Sequence, residues 1–250
     1  MSQLLQRTGT ASTNSFFKVK VLKFWDGFLH LLFPSSCICC QGELIQSEKS
    51  CCSNCKSELP FTRFELYEEE TDLDQLFWGR VNIDSTFSLL YYEKTNSVKP
   101  ILQALKYKGR SDVGIEFGEM IGNVLKDHPK FNSIEAFVPV PIHIKKRYTR
   151  GYNQSEMIAK GMANVWSVKV APNLISKSKH TGSQTTLGRF KRWDNVENLF
   201  TVNHEMEQFK HIAIVDDVVT TGATLESIVR SIREIYPSIQ ISVISLALTK

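Results

Sequence analysis

The sequence predicts an α/β protein, a parallel sheet with flanking helices, preceded by a small cysteine-based module. Three observations carry that prediction. Strands alternate with amphipathic helices from residue 86 onward, and all six cysteines crowd into residues 37–55. In addition, Ile212 to Val215 is apolar at every position, as in strands buried on both faces.

Thr86 to Tyr92 reads as the first strand. Val113, Phe117, Met120, Ile121 and Val124 then fall on one face at the 3.6-residue period of a helix. Ile134 to Val140 is a second strand, and Met157, Ile158, Met162 and Val165 mark a second helix. After Ile212 to Val215, a third helix is lined by Leu225, Ile228, Val229 and Ile232, and Ile241 to Leu248 closes the chain as a β-branched strand. Alternation of this kind implies a parallel sheet covered by helices. Ligands of such sheets bind beyond the carboxyl ends of the strands.

The cysteines pair by spacing. Cys37 and Cys40 form one C-x-x-C, Cys52 and Cys55 form another, and eleven residues separate them. Two such knuckles place four thiolates around one Zn2+ in a closed four-cysteine site with no position for water or substrate, so the zinc is read as structural. An iron-sulfur cluster, a redox dithiol and ligand exchange with Cys39 or Cys51 stay open beside it. Bridges within nineteen residues could not staple the rest of the chain, and disulfides do not suit a reducing cytoplasm. Upstream, Val19 to Phe33 reads as a short amphipathic helix with too few basic residues for a membrane surface, better suited to packing on the zinc module or the main domain.

Charge divides the chain. Residues 1–60, the helix and zinc-binding module, carry six basic and four acidic side chains; residues 61–85 carry two and seven; residues 86–250 carry 22 and 15. The middle segment, centred on Glu68-Glu69-Glu70, reads as a solvated acidic linker that could also shield a basic surface in cis. Across 250 residues, 42% are apolar and 22% charged, which excludes disordered and fibrous classes. The longest apolar stretch near the amino terminus, Phe28 to Phe33, falls far short of the roughly 18 to 20 residues of a membrane span. It also lacks a small-x-small cleavage pattern. A soluble, cytoplasmic protein without membrane insertion is expected.

Residues 212–229, IAIVDDVVTTGATLESIV, carry the chemistry. An apolar strand ends in Asp216-Asp217, the loop Thr220-Thr221-Gly222-Ala223-Thr224 follows, and a helix begins at once. Unpaired N–H groups at a helix N-terminus carry partial positive charge and bind phosphate. Gly222 lets the backbone approach the anion, and the three threonine hydroxyls add donors. Two carboxylates are acceptors unsuited to phosphate but suited to the vicinal hydroxyls of a ribose whose 5-phosphate sits in the loop. The segment lacks the Gly-Lys-Ser/Thr of a Walker loop and the G-x-G-x-x-G of a dinucleotide fold.

VDDVVTTGAT resembles the 5-phosphoribosyl 1-pyrophosphate (PRPP) motif of type I phosphoribosyltransferases. Together with the double C-x-x-C and with PVPIHIKKRYTRGYNQSEMIA at residues 139–159, it narrows the resemblance to ComF-type competence proteins, also called amidophosphoribosyltransferase-like, over nearly all the chain from about residue 30. The resemblance implies a type I phosphoribosyltransferase-like domain over residues 86–250. In it, Asp216 and Asp217 hold the ribose hydroxyls and Thr220, Thr221, Gly222, Ala223 and Thr224 hold the 5-phosphate. It places a second phosphate-facing loop after Pro139-Val140-Pro141. There Lys145, Lys146, Arg147 and Arg150 form a basic turn suited to pyrophosphate or another polyanion, and Asn153 and Gln154 order the loop. Residues 176–199 lie where the family carries a flexible catalytic loop, with Gln184, Leu187, Arg189, Arg192 and Asn195 in the family's order; a closing basic lid would exclude water and neutralise pyrophosphate. Leu105 to Arg110, with Lys106, is another family-like basic element, facing substrate or forming a solvated turn. Catalytic candidates are Lys106, Arg189 and Arg192.

The resemblance further implies displacement of pyrophosphate from the ribose anomeric carbon by a nitrogen nucleophile, with Mg2+ bound alongside PRPP. The acceptor is encoded by no motif. Other competence proteins and single-stranded DNA are the remaining partners implied, the latter through a nucleic-acid-binding accessory role in which Tyr148 and Tyr152 interleave aromatics with the cations of residues 145–150.

Overall fold

The computed structural model describes residues 36–94, 97–177 and 199–250. Helix α1 (Ser53–Ser57) belongs to the cysteine module and α2 (Asp72–Gln75) to the acidic segment. There follow β1 (Ser85–Tyr92), α3 (Val98–Tyr107), α4 (Ser111–Leu125), β2 (Ala136–Pro139), α5 (Ile144–Arg150), α6 (Gln154–Val165) and β3 (Lys169–Val170). Strands β4 (Ile175–Lys177) and β5 (Phe200–Val202), then β6 (His211–Val219), α7 (Ala223–Ile235) and β7 (Gln240–Thr249), complete the chain. The expected amphipathic helix at residues 19–33 lies outside the described residues.

Five strands form one sheet in the order β1-β7-β6-β2-β3, and every pairing is parallel. The α/β class and parallel sheet read from the sequence are therefore present. A separate antiparallel pair, β4 and β5, stands apart from the main sheet. From β6 the chain proceeds to β7 on one side, whereas from β2 it proceeds to β3 on the other. The crevice between β6 and β2 is thus a topological switch point, where open α/β sheets bind ligands.

Ile212, Ala213, Ile214 and Val215 are fully buried at the centre of the sheet. The strand does not stop there: β6 continues through Asp216 and Asp217 to Val219, because Asp216, Val218 and Val219 still pair with β7. Both carboxylates consequently ride on a rigid strand end. All four apolar residues expected on α7 are buried.

Helix α4 packs against α6 at unusually short range. A Cβ placed on Gly118 would meet the Ile158 carbonyl oxygen at 2.2 Å, and one on Gly161 would meet the Ile115 carbonyl oxygen at 2.1 Å. Neither neighbour is a side-chain end that could swing away. Gly161→Ala is expected to destabilise the fold by about 1–3 kcal/mol or more through overpacking, measured as a lower urea midpoint. An unchanged midpoint would show that the two helices separate freely.

Two stretches depart from the sequence reading. The segment expected to be a solvated linker is built into the domain. Phe61 forms an antiparallel bridge with Leu90, the Thr62 amide donates to the Leu89 carbonyl at 3.1 Å, and residues 60–62 thereby cover the outer edge of β1. Thr71 and Asp74 make a capping box that starts α2, and Leu73 and Phe77 are buried in the main core. Each such side chain contributes roughly 1.5–3 kcal/mol, so two of them hold the segment down despite its charge. The expected basic turn at Lys145 to Arg150 is instead helix α5, capped by His143 and ended by Gly151 in the left-handed conformation.

Candidate functional site

The four sulfurs of Cys37, Cys40, Cys52 and Cys55 lie within 4.8 Å of one another. Tetrahedral Zn–S bonds of about 2.3 Å require sulfurs about 3.8 Å apart, and the Cys40 and Cys52 sulfurs stand at 3.8 Å. Backbone amides point at the sulfurs: Cys39 and Cys52 donate to Cys37 Sγ at 3.4 and 3.3 Å, and Cys55 donates to Cys52 Sγ at 3.5 Å. Burial raises the Cys37 thiol, but the amides around its sulfur outweigh it and bring it down to about 6. This donor set fits a metal ion. Cys37 also groups with Cys39 and Cys51, and the sulfurs of the latter two approach to 3.0 Å, so the extra thiols lie beside the first set.

The module docks on α4 through two carboxylates, Glu116 and Glu119. Glu116, buried, accepts from the Ser50 amide at 3.0 Å and from the Ser50 hydroxyl, and pairs with Lys56. Lys49 pairs with Glu119 at 2.7 Å alongside.

A cleft opens at the carboxyl ends of β2 and β6, and it gathers the residues singled out in the sequence. One cavity of about 230 Å³ is lined by Asp216, Asp217, Thr224, Lys106, Lys146 and Arg150. It adjoins the loop Thr220 to Thr224, where Asp216 and Val218 also form the wall. Gly222 sits at φ +71° as the N-cap of α7, with no side chain capping the helix, so the first amides of α7 face the loop without an intrahelical partner. Lys106 Nζ pairs with Asp217 at 2.9 Å. This places Lys106, at the end of α3, inside the cleft, not on a solvated turn.

Asp216 receives hydrogen bonds from the Ser155 hydroxyl at 3.2 Å and from the Asp217 amide at 2.8 Å. Burial and then the neighbouring Asp217 carboxylate push its acid up to about 8, against the opposing effects of those donors and Lys106. A ligand that donates hydrogen bonds to Asp216 would favour its ionised form.

The basic residues divide. Lys146 and Arg150 face the cleft, Lys145 lines a neighbouring cavity of about 480 Å³ with Tyr107 and Thr149, and Arg147 lines neither. Arg150 Nη1 donates to Gln154 Oε1 at 2.7 Å, while Asn153 caps α6 and donates to the Val140 carbonyl at 2.9 Å. Asn153 and Gln154 thus order the loop. Tyr152 is not a free stacking platform: its hydroxyl donates to the Leu105 carbonyl at 2.7 Å. Tyr107 is exposed, with the Arg150 guanidinium 5.6 Å over its ring. The lid candidates Gln184, Leu187, Arg189, Arg192 and Asn195 lie outside the described residues.

Sequence reasoning missed Ser155, His143 and Lys177, which also line the cleft. Ser155 and His143 carry no pattern of their own, and Lys177 reaches the cleft only because β4 ends there.

Residues 153–249 match the model of the family described as phosphoribosyl transferase domain. The chain is similar to Competence protein F of Haemophilus influenzae, 23% identical over 214 residues that cover 81% of this chain and 93% of that protein. It is also similar to DNA utilization protein YhgH of Escherichia coli K12, 25% identical over 134 residues covering 52% of this chain and 59% of that one. The YhgH of Salmonella typhi is likewise 25% identical, over 131 residues covering 51% and 57%. The chain thus spans less than two thirds of the length of the YhgH proteins. Among the described residues, no helix is long and apolar enough to cross a membrane.

Proposed function

We propose that this chain, whose residues 153–249 match the phosphoribosyl transferase domain family, binds PRPP in the cleft between β2 and β6 and serves the handling of transforming DNA. The carrying observation is which groups share two adjoining cavities: Thr220 to Thr224 at the N-terminus of α7 line one, Lys146 and Arg150 line the other, and Asp216 lines both, beside Asp217. PRPP carries a matching set of groups: 5-phosphate, ribose diol, pyrophosphate.

In this reading the amides and hydroxyls of Thr220 to Thr224 receive the 5-phosphate. Asp216 and Asp217 accept from the ribose hydroxyls, and Lys106 shifts its pairing as the diol arrives. Lys146 and Arg150 neutralise the pyrophosphate, which increases its capacity to leave with the bonding electron pair. Mg2+ bound with PRPP would add Lewis-acid stabilisation of that leaving group. The four-thiol set holds zinc in a structural role.

The competence role rests on similarity to Competence protein F and to the DNA utilization proteins. A second reading, in which the site senses PRPP and the surface grips single-stranded DNA, is favoured by α5. That helix buries no residue, and Tyr148 is 91% exposed and Tyr107 75% exposed beside its cations. Stacking on such rings is worth about 1–3 kcal/mol per base.

Pyrophosphate release from PRPP and Mg2+, followed over a panel of bases and amines, tests turnover. Release with one acceptor supports transfer. PRPP binding with no release, together with DNA affinity that falls as salt rises, supports the second reading. Absence of PRPP binding rejects both.

A further inference from the structure

We infer that Arg80, in the acidic segment and outside the matched domain, is a positioning residue for the phosphate-binding loop. The inference rests on the PRPP reading of that loop. Arg80 Nη1 donates to the Thr221 carbonyl at 2.8 Å and to the Leu76 carbonyl at 3.0 Å. Its Nε donates to Glu226 Oε2 at 2.9 Å, and its Nη2 pairs with the same carboxylate. One guanidinium therefore fastens the loop, the first turn of α7 and the segment that precedes β1.

Two physical effects follow. The Thr221 carbonyl and the Gly222 amide belong to one peptide group, so a cationic donor on the oxygen polarises the N–H that faces the anion. Glu226 lies in the first turn of α7, where its charge would repel a phosphate; Arg80 and Arg230 hold and neutralise it, the latter donating from Nη2 at 2.8 Å. Arg230 Nη2 also donates to the Arg80 carbonyl at 3.0 Å, which closes the arrangement.

Packing supports the same assignment. Gly222 is buried under this segment, and a Cβ there would meet Phe77 at 2.8 Å and Leu76 at 3.1 Å. Neither Arg80 nor Phe77 lines the loop cavity; both line a separate cavity of about 740 Å³. Arg80 therefore acts on the loop through Thr221 and Glu226, without lining the anion's cavity.

The test compares ribose 5-phosphate, which would use the loop, with inorganic pyrophosphate, which would use Lys146 and Arg150. Calorimetry on the full chain with R80Q should show roughly tenfold or greater loss of ribose 5-phosphate affinity. Pyrophosphate affinity should stay within about twofold of the original chain, since its contacts are untouched. R80K should fall between, because an ammonium reaches only some of the acceptors that the planar fork holds. It also carries the test should R80Q not fold. Equal affinities for ribose 5-phosphate in the original and variant chains would overturn the inference, as would equal loss of both ligands. If the original chain binds neither ligand, the PRPP reading itself fails, a result separable from the other two.

Discussion

Replacing both carboxylates, Asp216→Asn with Asp217→Asn, is expected to weaken PRPP binding by about 100-fold or more. A hydrogen bond to a charged group contributes about 1.5–3 kcal/mol, and the diol would lose two such acceptors. Amides can still accept through their oxygens, so a residual affinity carried by the phosphates should survive. Titration calorimetry with PRPP and Mg2+ reads the change; an affinity equal to that of the original chain rejects the assignment of the diol.

The pH dependence of the same experiment follows from Asp216. Its acid is raised to about 8 by burial and by Asp217, so below that pH the group is a weaker, neutral acceptor for a hydroxyl. Affinity should therefore rise from pH 7 to about 8 and level off above, and the double variant should be flat across this window. Stability runs the other way. The unfolded aspartate ionises near its ordinary value of 3.8, whereas the folded one keeps its proton until about 8. Folding stability from this group is present at low pH and is lost as pH rises through that interval. Asp216→Asn should consequently raise the melting temperature at pH 8 while it weakens the ligand. A lower melting temperature there would show that the carboxylate is stabilising, contrary to its burial.

Removal of the metal should have the other large effect. Structural zinc contributes about 10–16 kcal/mol to small modules of this kind, so a chelator or Cys40→Ser with Cys52→Ser should unfold residues 36–60. Limited proteolysis should then cut between Cys37 and Glu58, while the far-UV signal of the five-stranded sheet persists. One zinc per chain is expected, retained in Cys39→Ser and Cys51→Ser. Loss of zinc in either would transfer the site to the set that contains those residues.

Much of the candidate site was legible because its parts are local. Strand, carboxylates, loop and helix follow one another in IAIVDDVVTTGATLESIV, and each has a signature at short range: unbroken burial, acceptor chemistry, a glycine at positive φ, a 3.6-residue period. The thiol set is local for the same reason, being read from spacing alone. Residues 61–85 were misleading because net charge dominates a composition reading, while Leu73 and Phe77 anchor the segment through an apolar spacing too sparse to stand out. Helix α5 was hidden by its lack of any apolar face, since it buries nothing and is held by its caps.

The amino-acid sequence by itself determined the α/β class, the thiol set and the loop-helix unit, since propensity, spacing and periodicity act between near neighbours along the chain. Only the tertiary structure decided which distant groups meet there: Lys106 on Asp217, Ser155 on Asp216, Arg80 on Thr221, and Lys146 with Arg150 across the cleft. The first three meetings depend on strand order and helix packing over 61 to 141 residues of separation, where no local pattern records which side chain will arrive.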